Sequence, residues 1–188
     1  MRHRRCGAVL ALAIAVLPLS ACAAFPEPPA SVGQGYPSDG VPSAVRWPSD
    51  WLAGLSGESD AVPGPVVGLR LERLDDQWVW RIRSVDRFHD DLFGERQDDP
   101  TRGREALLDA SDLDPVRERT VILTAAEAAG SDVSAYDAAQ RSGEVWPGPR
   151  LVELELRTED RAPVWRITTY DTDSGALSTT TLRDDLPN

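Results

Sequence analysis

Two stretches of this chain carry the same residues 85 positions apart, and that repeat limits the fold more than any other feature. The first reads PGPVVGLRLERLDDQWVWRI, from Pro63 to Ile82; the second reads PGPRLVELELRTEDRAPVWRI, from Pro147 to Ile167. Leu69 and Leu71 correspond to Leu154 and Leu156 at a shift of 85 (69 to 154). Val79-Trp80-Arg81-Ile82 corresponds to Val164-Trp165-Arg166-Ile167 at the same shift. The Pro-Gly-Pro openings are 84 apart (63 to 147), so one residue has been inserted between. A four-residue string and a Leu pair held at one offset point to duplication of a single unit.

Each copy reads as strand, turn, strand. Leu69 and Leu71, like Leu154 and Leu156, alternate with charged residues, the period-2 pattern of a half-buried strand. Asp75-Asp76-Gln77 and Glu159-Asp160-Arg161 are the polar turns. Trp80 then shares a face with Trp78 and Ile82, and Trp165 with Ile167. A third strand is expected over 176–182 after the turn Asp171-Thr172-Asp173-Ser174-Gly175, and over 105–110 in the first copy, beyond a polar loop over 89–104. Ahead of the second copy, Thr124-Ala125-Ala126-Glu127 fits a capping box, which predicts a helix over 125–141, or two helices if the weak spot at Gly130-Ser131-Asp132 breaks it. Ahead of the first, only a short helix over 49–55 fits. The expected fold is α+β: two repeated units, each a helix on an antiparallel β-meander, the first degenerate.

The N-terminus has a different character. Arg2, His3, Arg4 and Arg5 precede an apolar run from Gly7 to Pro18, which ends at Leu19-Ser20-Ala21-Cys22. This is secretory-signal architecture, too short for a spanning helix of roughly 20 apolar residues. Leu19-Ser20-Ala21-Cys22 resembles the lipobox of bacterial lipoproteins. The resemblance implies diacylglyceryl transfer to Cys22, palmitate-type acylation and cleavage after Ala21. A plain secreted protein with an incidental Cys22 is the alternative. Residues 22–46 are rich in Pro, Gly, Ser and Ala, which predicts a flexible tether. The expected organisation is 1–21 signal peptide, 22–46 tether, 47–115 first unit and 116–188 second unit.

Charge and cysteine count restrict the function. Of 188 residues, 2 are Cys; Cys6 leaves with the signal and Cys22 would carry lipid, so the mature chain has no disulfide and relies on its core, including 6 Trp. Loss of Arg2, Arg4 and Arg5 takes the formal charge from −11 to −14. Every basic side chain is Arg. With no basic surplus, nucleic-acid binding is not expected.

The helix over 125–141, the strands over 151–156 and 164–167, the Asp171–Gly175 turn and the strand over 176–182 together resemble PepSY and PepSY-like domains. The copy over 49–110 matches less well. The resemblance implies a non-catalytic extracytoplasmic module, often tied to peptidases as an inhibitor or local regulator, and supplies no catalytic or cofactor residues. His89 is the one histidine past the signal, so a hydrolase would have to use it; no G-x-S-x-G elbow accompanies it. His89-Asp90-Asp91 is a poor zinc set. Asp171 to Gly175 begins like a calcium loop, but position 182, where the bidentate Glu belongs, is Leu. Neither metal nor cofactor is expected. Trp47, Trp51 and Trp146 lie near segment ends and, with His89, are the candidate partner contacts. The expected function is a membrane-anchored, extracytoplasmic protein-binding or regulatory module and not an enzyme. The alternative is a solute- or glycan-binding lipoprotein that uses exposed Trp.

Overall fold

Alternating apolar and charged residues become strands through most of the chain. The computed structural model describes residues 24–55, 59–90 and 93–183; the expected signal peptide and Cys22 lie outside them. A helix α1 (Pro48–Leu55) leads into β1 (Val66–Leu74), β2 (Gln77–Val85), β3 (Phe88–Asp90), β4 (Arg96–Asp98), β5 (Arg102–Asp109) and β6 (Pro115–Ile122). Then follow α2 (Ala125–Ala129), α3 (Ala135–Gln140), β7 (Arg150–Glu159), β8 (Ala162–Tyr170) and β9 (Leu177–Arg183). Seven strands form one antiparallel sheet in the order β6-β5-β2-β1-β7-β8-β9, with β3 and β4 as a separate hairpin. The class is α+β, with a large sheet and short helices.

The two hairpins use matching registers. Leu71 faces Trp80 and Leu69 faces Ile82 in the first; Leu156 faces Trp165 and Leu154 faces Ile167 in the second. Both close through two residues at positive φ, Asp75 and Asp76 in one and Asp160 and Arg161 in the other. Such a pair matches the right-handed twist of the flanking strands. Where the hairpins meet, β1 pairs with β7 and Leu69 lies opposite Leu154, so residues 85 apart face each other at the sheet's centre.

The sheet has two unlike faces. One is apolar: Leu69, Leu71, Trp80, Ile82, Leu154, Leu156, Trp165 and Ile167 join Trp51, Leu52 and Leu55 of α1 and Ala126, Ala135, Ala138 and Ala139 of α2 and α3 in a single core. Full burial of each large apolar side chain contributes about 1.5–3 kcal/mol. The other face buries charge. Glu72 accepts two hydrogen bonds from the Arg81 guanidinium at 2.8 and 2.9 Å. Arg81 also pairs with Glu105 at 3.4 Å, and Glu105 with Arg119 at 2.6 Å. Val79 and Leu107 are buried beside this chain of alternating charges.

The segment over 125–141 breaks at its weak spot into two short helices, because Gly130 leaves α2 at φ +73° and Ser134 caps a new start by accepting from the Asp137 amide. Three expectations need correction. The loop over 89–104 instead contains β3, β4 and the start of β5. The boundary at 115–116 falls at the start of β6, and β6 pairs with β5 of the first half. The described part of the 22–46 tether lies packed on the domain. Val41 and Val45 enter the core, the Tyr36 hydroxyl donates to the Leu71 carbonyl at 2.8 Å, and Arg150 donates to the Pro42 and Val45 carbonyls at 3.0 and 2.6 Å. A Pro-rich stretch has no ladder of its own, so its carbonyls are satisfied by side chains from elsewhere in the fold.

Candidate binding surface

Trp47 and Trp146 stand on the two chain segments that flank the helices, and the fold brings them together. Trp47 directly precedes α1, and Trp146 lies in the turn between α3 and β7. Glu144 ties these segments: its carboxylate accepts from the Ser49 hydroxyl at 3.0 Å and from the Leu151 amide at 3.1 Å. The Gln140 amide donates to the Ser49 carbonyl at 3.2 Å. The two indole rings then lie 5.9 Å apart, tilted by 54°, with the Arg150 guanidinium 4.3 Å from the Trp47 ring centre. Trp47 is half-buried between Arg150 and its neighbour, whereas Trp146 is 67% exposed and Val145 beside it is exposed too. A rigid indole held in the open at a pinned corner is the anchor type of interface hot spots.

Burial raises the Glu144 carboxyl above its ordinary value, and its bonds to Ser49 and Leu151 and the charge of Arg150 offset this in part. A carboxyl with a raised folded pKa binds its proton more tightly in the native state, so native stability falls as pH rises through that window. Glu144→Gln keeps an acceptor for the Leu151 amide and removes the buried charge. It is therefore expected to be more stable than wild type at pH 7 and to lose that advantage near pH 4, as read by urea midpoints at both values.

A second feature is a groove of about 1180 Å³ between the helices and the sheet. Leu52 and Ala53 of α1 form one side, the α2–α3 junction from Ala128 to Tyr136 the other, and Leu156 and Trp165 also line it. Three of its polar side chains are engaged inside the fold. Trp165 Nε1 donates to the Val133 carbonyl at 2.8 Å, Glu127 pairs with Arg83 at 2.9 Å, and Arg87 pairs with Asp98 at 2.9 Å. What remains for a ligand is apolar wall together with the polar groups of the α2–α3 junction.

The other candidate residues fall elsewhere. Trp51 is not a contact residue: α1 turns it, with Leu52 and Leu55, into the core, where its ring lies 5.7 Å from Trp80. His89 is half-buried on β3, opposite Gln97 of β4, and not on a solvated loop. Cys22 lies outside the described residues. The Asp171 carboxylate turns inward and accepts from the Ser174 amide and hydroxyl, both at 2.7 Å, which holds its pKa below the usual carboxylate range. Among the described residues no three His, Cys, Asp or Glu converge as a metal site requires. Arg150 and Glu144, which build the Trp corner, were not singled out in the sequence; the signal available was their place flanking Trp146-Pro147-Gly148-Pro149.

No family model matches the chain, and no curated protein matches it. Among solved structures, the crystal structure of a "putative lipoprotein" from Clostridium difficile 630 is similar over 62% of this chain and 82% of that one, at 15% identity and a TM-score of 0.32. That likeness is too slight to carry an argument about function, and none rests on it. Among the described residues, no helix is long and apolar enough to cross a membrane.

Proposed function

We propose that this chain is a lipid-anchored, extracytoplasmic lipoprotein whose folded part is a non-catalytic module that binds or regulates another extracytoplasmic protein, with peptidases as one partner class. The anchor reading rests on Leu19-Ser20-Ala21-Cys22 behind its apolar run. The binding reading rests on one observation: Trp146 is held 67% exposed against Trp47 by a buttress of Glu144, Ser49 and Arg150. The exposed Val145 beside Trp146 widens the apolar surface, and Trp is among the residue types most often found as interface anchors. Architecture supports the PepSY-like comparison only in outline, with helices ahead of a three-stranded antiparallel meander. A duplicated origin is supported by the matching hairpin registers and by Leu69 lying opposite Leu154.

The test is capture from membranes with the lipidated protein. Cys22→Ser should release the protein from the membrane fraction. Trp146→Ala should change stability by no more than about 0.5 kcal/mol, as expected for an exposed site, while abolishing capture of the partner. No enriched partner, together with a specific small ligand, would sink the reading.

The groove favours one second reading, a solute-binding lipoprotein. At about 1180 Å³ the groove is somewhat larger than ordinary small-molecule pockets of about 300–1,000 Å³, so it has room for a small ligand without enclosing it closely. A glycan platform made of several Trp is less well supported, because Trp165 is the one Trp lining the groove and its polar edge is committed to Val133.

A further inference from the structure

The segment that follows Cys22 is fastened to the charged face of the sheet. Arg117 donates to the Ala24 carbonyl at 2.8 Å, and Arg81 donates to the Pro26 carbonyl at 2.9 Å. The Phe25 ring lies under two guanidinium groups, 4.3 Å from that of Arg119 and 5.3 Å from that of Arg81. Glu27 adds a longer pair with Arg119 at 3.9 Å. Four consecutive residues are thus held by three arginines on β2 and β6. Stacking of this kind is stronger where the cation is desolvated, and Arg81 is buried.

The lipid anchor would therefore leave the domain at a fixed place. Cys22 is two backbone steps before Ala24 in the sequence, and an extended chain spans at most about 3.6 Å per residue, so a lipid on Cys22 would be tied to the docked segment by no more than about 7 Å of chain. A free 25-residue tether would instead have a typical reach of about 25–30 Å.

From this we infer that the domain does not stand off on a leash but sits against the bilayer surface, with the β5–β6 half of its charged face towards the lipid headgroups. The helix layer and the Trp47–Trp146 corner then point outward, towards partners. The inference rests on the lipoprotein reading above. The partner surface is a phospholipid headgroup layer. Around the docked segment Arg81, Arg117 and Arg119 are offset by Glu72, Glu105 and Glu27, so this patch is near neutral and headgroups are not repelled there. An anionic surface would otherwise repel a domain of charge −14.

The experiment uses the mature, lipidated chain in vesicles of phosphatidylcholine and phosphatidylglycerol containing a headgroup-attached nitroxide quencher. The mature chain has no free thiol once Cys22 is acylated, so Val116→Cys and Tyr136→Cys each give one labelling site. Val116 is exposed on β6 next to Arg117; Tyr136 is exposed on α3. A fluorophore at 116 should be quenched several-fold more than one at 136, and Phe25→Ala should narrow the difference. Equal quenching of both labels on acylated, vesicle-bound protein overturns the inference and leaves the lipoprotein reading intact. Mass spectrometry showing no acyl group on the mature N-terminus overturns both.

Discussion

Arg81→Ala is expected to lower the unfolding free energy by about 3–5 kcal/mol, the cost of removing one partner from a buried ionic cluster. Arg81 sits between two buried carboxylates, donating from Nε and Nη2 to Glu72 and holding Nη1 3.4 Å from Glu105 as an ion pair without a hydrogen bond. Its loss strands Glu72, which is about as buried as the leucines beside it, and leaves Glu105 with Arg119 as its remaining partner. It also frees the Pro26 carbonyl and removes one of the two cations over Phe25. For a chain of this size each kcal/mol moves the midpoint by about 2–4 °C, so a fall of roughly 6–20 °C is expected by calorimetry. Adding Glu72→Gln to Arg81→Ala should recover much of the loss, because the penalty is stranded charge and not lost packing. Failure of the double variant to recover would assign the effect to the packing of the Arg81 stem instead.

That cluster also shows where the sequence speaks plainly and where it does not. Period-2 alternation marks β1, β2, β7 and β8 because each has one apolar face, and the two hairpin turns follow from short polar runs between them. The strand β6 has no such signature. Its residues PVRERTVI turn Arg117 and Arg119 towards the buried charges of the sheet, so an inward face that is cationic reads as solvated. The docked N-terminal stretch fails for a related reason. Composition assigns it to a tether, while the groups that hold it come from Arg81 and Arg117, 55 and 93 residues further on. Local composition cannot register a partner at that separation. The candidate surface was half legible: Trp47 and Trp146 could be picked out as terminal aromatics, but their 5.9 Å approach depends on Glu144 bridging Ser49 and Leu151. Trp51, equally placed near a segment end, is turned inward by helical spacing with Leu52 and Leu55, and the sequence alone does not say which side of α1 meets the sheet.

Trp165→Ala is the other substitution with a large expected effect, about 3–5 kcal/mol for removing a fully buried indole. Trp165 and Trp80 occupy equivalent places in the two hairpins, opposite Leu156 and Leu71, and both are almost wholly buried. They differ in what their ring nitrogens do. Trp165 Nε1 donates to the Val133 carbonyl at the α2–α3 junction, whereas Trp80 Nε1 has no hydrogen-bond partner among the described residues. Truncation to Phe separates the two roles. Trp165→Phe leaves the Val133 carbonyl without its donor, which adds about 1–3 kcal/mol if that group stays dry. Trp80→Phe removes a donor that was already unpaired, so it carries only the smaller loss of volume. Trp165→Phe should therefore be the more destabilising of the pair in urea, and hydrogen exchange should quicken across 130–136 in that variant alone. Equal midpoints and unchanged exchange would mean that the helix junction is held by the apolar contacts of Val133 and Ala135, and that the bond to Trp165 adds nothing measurable to the shape of the groove.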